Sequence, residues 1–250
     1  MDKTVQQFAV ANLRRRPLVV EVPGFVCGFD PDTTSPYVNY ATPLPDAAPT
    51  GADVRALVAA FRQRGLLPRL EFAPQAAPAV APALYAAGFT VEQTHEFLVC
   101  TPDTFTAPGG GPVPEAPRSE DDYLAIDGAL AEAFSGEFAA SAAGAARLRR
   151  VQEGGGAVRF VRAPDGGCAG AATCSATAVG TAELAGVGTR PPYRGRGVGA
   201  AVTAAVAAAM FDQDASSVWL EYSGDGSRRV YERLGFRPTG TRLYLHLPPA

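Results

Sequence analysis

Histidine and tryptophan are scarce in this 250-residue chain, with two of the first and one of the second. Its four cysteines, Cys27, Cys100, Cys168 and Cys174, include no Cys-x-x-Cys pair. Structural zinc needs His and Cys at short characteristic spacings, so no metal site is expected, and the cysteines are expected to be free thiols of a reducing compartment. A charge excess is lacking too: a net charge of −3 offers no broad basic field to gather nucleic acid. The longest apolar run, Ala200 to Phe211, falls well short of the ~20 residues that span a bilayer. Met1 to Arg16 is a polar tail that ends in Arg14-Arg15-Arg16 with no apolar stretch behind it, unlike a secretory signal. These absences imply a cytoplasmic protein with no nucleic-acid or membrane partner, and they leave the oligomeric state open. Apolar residues at 47% and charged residues at 19% suit a globular chain of one large domain or two ordinary ones.

Element signals come in a mixed order. Leu18 to Val22 and Gly24 to Phe29 read as strands, and Tyr37 to Ala41 as a short third. Val54 to Arg64 has helical periodicity behind Gly51-Ala-Asp53 and stops at Gly65. Leu70 to Phe72 reads as a strand, Ala79 to Ala87 as a helix, and Phe89 to Cys100 as a long strand. Thr101 to Ser119 is rich in proline and holds Gly109-Gly110-Gly111, the composition of a linker. Helices are then expected over Glu120 to Phe134 and up to about Gln152. Strands follow over Ala157 to Arg162, Cys168 to Ala178 and Thr181 to Thr189, with a long helix to Phe211. A strand over Ser217 to Tyr222, a helix across Arg228 to Leu234, and two strands around Phe236 and over Thr241 to Leu247 close the chain.

Parts of the first half recur in the second. Leu70-Glu-Phe-Ala leads to Leu84-Tyr-Ala-Ala-Gly-Phe89, as Leu220-Glu-Tyr-Ser leads to Val230-Tyr-Glu-Arg-Leu-Gly-Phe236, so Tyr85 reads as the counterpart of Tyr231. Val38 to Pro43 likewise precedes its helix as Gly186 to Pro191 does. Such a repeat implies two related lobes in tandem, with boundaries at 1–105, a 106–118 linker, and 119–250.

The densest chemistry lies in Arg194-Gly-Arg-Gly-Val-Gly199, between the apolar strand ending at Thr189 and the alanine-rich run. Glycines there let backbone N–H groups converge at a helix start whose dipole favours anions, and Arg194 and Arg196 can add charge. A Rossmann fingerprint offers similar parts, but this Gly-x-Gly-x-Gly spacing behind Pro191-Pro192 differs from it. The first half has Leu44-Pro-Asp-Ala-Ala-Pro-Thr-Gly51 at that place, where proline removes donors and Asp46 and Asp53 repel phosphate.

Arg194-x-x-Gly197-x-Gly199-Ala200 behind Val187-x-Thr189-x-Pro191 resembles the acetyl-CoA loop of the Gcn5-related N-acetyltransferase (GNAT) superfamily. Tyr231-Glu-Arg-Leu-Gly-Phe236 resembles its closing signature. The resemblance covers the second half of the chain. It implies an α/β (α+β) fold, a mixed central sheet flanked by helices, with a degenerate partial lobe of the same kind in the first half. Acetyl-CoA would be the co-substrate. Arg194, Gly195, Arg196, Gly197, Val198, Gly199 and Ala200 would hold its diphosphate, and Val187, Gly188 and Thr189 its pantetheine arm, in an opening where this strand splays from the next. The reaction implied is direct acetyl transfer to an amine of a small molecule or peptide. Glu183, eleven residues before Arg194, would be the base or a relay through water, set by strand alternation on the same face as Val187. Tyr231 would be the acid for the leaving thiolate.

One departure is Gly224, where many members carry Asn; backbone or Ser223 would substitute. Glu221 is repeated by Glu71 and reads as structural, as do His95 and His246, and Arg147, Arg149 and Arg150 read as a solvated helix face. Two other readings stay open: a CoA-binding regulatory or interaction module without turnover, and transfer of a longer acyl group.

Overall fold

The polar-looking N-terminus is a helix. In the computed structural model, which describes residues 1–135, 139–222 and 224–249, α1 (Asp2–Leu13) buries Val5, Phe8, Ala9, Val10 and Leu13. Those positions recur at helical spacing, and burying them outweighs the charged end of the segment. A meander follows: β1 (Leu18–Val22), β2 (Phe25–Phe29) and β3 (Tyr40–Pro43), each antiparallel to the last. Pro23-Gly24 makes the first turn, with Gly24 at φ +83° where a side chain would be strained. Helix α2 (Gly51–Arg62) is capped one residue earlier than expected: Thr50 accepts from the Asp53 N–H, and Asp53 accepts from the Thr50 N–H. β4 (Arg69–Phe72), α3 (Val80–Ala86) and β5 (Thr90–Cys100) complete the first half. Phe25, Leu57, Phe61, Phe72 and Leu84 fill one core between sheet and helices.

In the second half Ser119 and Asp122 form the same reciprocal cap on α4 (Glu120–Ala133), and α5 (Ala142–Glu153) follows. β6 (Ala157–Arg162), β7 (Cys168–Cys174) and β8 (Thr181–Thr189) form an antiparallel meander. Helix α6 (Val198–Phe211) is apolar nearly all round and correspondingly buried, packed on β6, β7 and β8. β9 (Ser217–Glu221), α7 (Asp225–Arg233) and β10 (Arg237–His246) end the chain, β10 as one strand where two were expected. The fold is a mixed α/β architecture whose sheet is flanked by helices.

The units do not follow the expected boundaries. The first comprises Met1–Phe97 and the segment from Thr239 on; the second is Leu98–Pro238. Strand order in the first is β1-β2-β3-β4-β10-β5, with β10 antiparallel to β4 from Leu243↔Phe72 to His246↔Arg69. In the second it is β5-β9-β8-β7-β6, and Leu98 and Cys100 at the end of β5 belong to that unit's core. The first unit thus takes β10 from the second half of the sequence, and the second takes the end of β5 from Leu98 on. No sequence boundary can express that exchange, because strand pairing is decided by edges that meet in space.

The proline- and glycine-rich segment is not a free linker either. Within the second unit Glu115 and Phe160 exchange backbone hydrogen bonds, Phe105 packs edge-on against Phe211 at 5.5 Å, and Thr106 N–H donates to Leu234 O. That docking explains Gly235, which sits at φ +95° with the Thr104 carbonyl oxygen in the place a Cβ would take. Gly88, at φ +88° in the first unit, has only Leu247 Cδ1 nearby, at 3.6 Å. Gly235→Ala should therefore destabilise by about 3 kcal/mol or more, and Gly88→Ala by only about 1 kcal/mol, in urea unfolding. Equal losses would show that the backbone contact at Thr104 carries no weight.

Candidate functional site

β8 pairs with β9 in parallel over Thr181↔Ser217, Ala182↔Val218 and Glu183↔Trp219. No β9 partner is assigned to Leu184–Thr189 among the described residues. From Leu184 on, the strand keeps its β7 partner alone, so its other edge presents main-chain groups to an opening. The expected splay is there, and it begins directly after Glu183.

Inside that stretch lies a β-bulge. The β7 register steps from Thr173↔Ala185 to Ala171↔Gly188, so two β8 residues oppose Ala172, and Gly186 stands at φ +61°. The extra residue reverses the alternation. Glu183, Ala185 and Gly188 share one face, on which a Cβ at Gly188 would come within 2.8 Å of Leu130 Cδ2 and 3.0 Å of Ala133 Cβ of α4. Val187 lies on the other face, with the cluster of Val198, Val202 and Leu184. Strand alternation had placed Glu183 and Val187 together; the bulge separates them. Glu183 is half-buried, and its main chain exchanges bonds with Ser175 through Ser175 N–H and Oγ.

The loop after β8 runs through a single turn over Pro191–Tyr193 into Gly195 (φ +74°) and Gly197 (φ +79°), the residue that opens α6. The first helical bond is Ala201 N–H to Gly197 O. Among the described residues the N–H groups of Val198, Gly199 and Ala200 find no acceptor, and Gly197 supplies no side-chain cap. Three donors at a positive helix end fit a phosphate. Arg196 lies over the Tyr193 ring at 5.7 Å, with Arg190 at 5.6 Å. Arg194 differs from expectation: its Nε donates to Thr189 O and its Nη2 to Ala133 O, both at 3.1 Å. It ties the loop to the C-terminus of α4, so its effect on an anion is joined to a positioning one.

Tyr231 is 7% exposed, packed in the core that includes α6, with its ring edge-on to Phe236 at 6.1 Å. Burial pushes its phenol up to about 12. Tyr85 is not its counterpart. Leu84 O accepts from Ala87 N–H and Phe89 N–H as Tyr231 O accepts from Leu234 N–H and Phe236 N–H. The place of Tyr231 in the first unit is therefore held by buried Leu84, and Tyr85 is 47% exposed. Counting back from the glycine, Gly88 or Gly235, would have found this in the sequence.

Gly224 has φ +80° and ψ 155°, backbone that essentially only glycine adopts, so the departure from Asn has a conformational cause. Ser223 lies outside the described residues. Glu71 is bound by Arg69 and, at 3.3 Å, by Arg242. Arg149 pairs with Glu120. His95 stacks edge-on against Tyr244 at 5.1 Å. Among the described residues no group of three or more His, Cys, Asp or Glu could hold a metal ion, and no helix is long and apolar enough to cross a membrane.

Residues 126–236 match the model of the Acetyltransferase (GNAT) family, a range that runs from within α4 through α7 and includes the opening between β8 and β9. A GCN5-related N-acetyltransferase from Kribbella flavida is similar over 100% of this chain and 96% of its own, at 24% identity and a TM-score of 0.83. One from Sphaerobacter thermophilus is similar over 91% of this chain and 78% of its own, at 16% and 0.61. A tandem GNAT protein from the clavulanic acid biosynthesis pathway is similar over 99% of this chain and 96% of its own, at 13% and 0.59. No match was found among curated proteins. The family match covers the stretch that holds the β8–β9 opening and the start of α6, and the solved structures share the fold.

The Tyr231 environment has a measurable signature. The phenol stays neutral in the fold while it would ionise near pH ~10 when unfolded, so its stabilising effect is complete below that and is lost as pH rises toward 12. Tyrosinate absorbance should show a group titrating near pH 12 that Tyr231→Phe removes. Identical titrations would contradict the buried placement.

Proposed function

We propose that the chain is a tandem GNAT-superfamily N-acetyltransferase that uses acetyl-CoA and acts through its second unit. The observation that carries this is the continuity of three features: the β8 edge freed after Glu183, the bulge at Gly186, and the three unpaired N–H groups at the start of α6. Val187, Gly188 and Thr189 would pair with the pantetheine arm, and Arg194, Gly195, Arg196, Gly197, Val198, Gly199 and Ala200 would hold the diphosphate. Bound acetyl-CoA would supply an activated acyl thioester. Glu183, on the face toward α4, would take the proton of an incoming amine directly or through water. Tyr231 holds the proton that the departing thiolate requires, kept there by burial. The acceptor is an amine of a small molecule or peptide, approached from the α4 side. The first unit repeats the order of meander, crossover helix, strand, helix and strand, and we read it as a degenerate lobe without a cofactor site.

A second reading is a CoA-binding module without turnover. The seclusion of Tyr231 favours it, since a buried phenol with a raised pKa is a weak acid.

Calorimetric titration of acetyl-CoA separates binding from its absence. Micromolar binding at one site per chain is expected, weakened at least about tenfold by Arg194→Ala with Arg196→Ala. Arg196→Ala alone reports the charge without loosening the loop. No binding, or two sites per chain, would overturn the proposal. Thiol release with an amine panel then separates the two readings: Tyr231→Phe should cut turnover about a hundredfold while leaving acetyl-CoA affinity nearly unchanged. Turnover equal to that of the parent would remove Tyr231 from the chemistry.

A further inference from the structure

The parallel pair β3/β4 of the first unit matches β8/β9 of the second, each joined through a crossover helix. Their mouths differ. β3 pairs with β4 at Ala41↔Leu70, and past that point side chains continue the stitching. Thr42 Oγ1 donates to Glu71 O at 2.8 Å. Gln6, from α1, enters with its carboxamide and is wholly buried. Its Nε2 donates to Thr42 Oγ1 at 2.8 Å and to Pro43 O at 2.6 Å, and its Oε1 accepts from Ala73 N–H at 2.9 Å.

Pro43 O lies at the end of β3 and Ala73 N–H just beyond β4. Both are main-chain groups that diverging strands leave without each other, and burying them unpaired is costly. A carboxamide satisfies both at once, donating to one strand end and accepting from the other, as an amide ligand does when it adds to a strand edge. We infer that the mouth between β3 and β4 is an amide-binding slot and that Gln6 is its built-in ligand. The slot takes a group with two N–H donors on one side and a carbonyl on the other. An external primary carboxamide meets it already filled. The inference rests on the proposed cofactor opening of the second unit only for the comparison, and its test uses no cofactor.

The test is thermal unfolding of the full chain with Gln6→Gly and Gln6→Met. Gln6→Gly should lower Tm by on the order of 5–10 °C. Propionamide, the glutamine side chain as a free molecule, should raise the Tm of Gln6→Gly but not of the parent or of Gln6→Met, where the slot stays filled. Butanone, of similar shape without N–H donors, should not. A Gln6→Gly protein that melts with the parent, or one that propionamide does not rescue, overturns the inference. Should Gln6→Gly not fold, hydrogen exchange at Ala73 decides: its amide should exchange at least about tenfold faster in Gln6→Met than in the parent, and equal exchange is the contrary result.

Discussion

Everything proposed for this chain depends on two parallel strands that stop pairing. β8 and β9 hold together through Glu183↔Trp219 and then part, while β7 stays bound to β8 on the other side. A strand that loses one neighbour must find other partners for its main chain, leave it to water or offer it to a ligand. The bulge at Gly186 adds one residue to that exposed edge and turns the following side chains over. Glu183 then faces α4, Val187 faces α6, and the strand runs on into the loop that opens α6. One local irregularity thereby separates the proposed acceptor face from the proposed cofactor face.

The first unit shows the alternative outcome of the same constraint. There the parallel strands also part, but Thr42 and Gln6 satisfy the freed groups from within. Leu84 stands where the second unit has Tyr231, and the segment after β3 carries Pro45 and Pro49 in place of a run of glycines. Donor loss, slot closure and hydroxyl loss fall on one lobe. These three features are the ground for proposing that the unit is kept for its sheet and core rather than for transfer chemistry. Its Phe25, Phe61 and Phe72 remain fully buried, and it receives β10 from the other half of the chain.

Packing accounts for the signature glycine as well. Gly235 is not simply a turn residue, since the Thr104 carbonyl lies in the place of its side chain. The proline- and glycine-rich segment that composition suggests is loose is held there by Thr106 N–H on Leu234 O. Composition reports the backbone freedom of the unfolded chain; it says nothing of the contacts made after folding.

Much was legible without coordinates, and for a local reason. Alternation and helical spacing are properties of neighbouring residues, so the β7–β8 meander, α6 and the helix starts near Glu120 and Asp53 could be read directly, though not the capping residues themselves. The glycine turn announced itself because only glycine tolerates the positive φ at Gly195 and Gly197. Helix α1 was hidden by its charged end, although Val5, Phe8, Ala9 and Leu13 carried the period. What the sequence could not express is whatever depends on partners distant along the chain. The pairing of β10 with β4, the reversal of faces at the bulge, the burial of Tyr231 and the entry of Gln6 between β3 and β4 belong to this class. Each is set by which edges and cavities meet when the layers pack, and only the tertiary structure decides that.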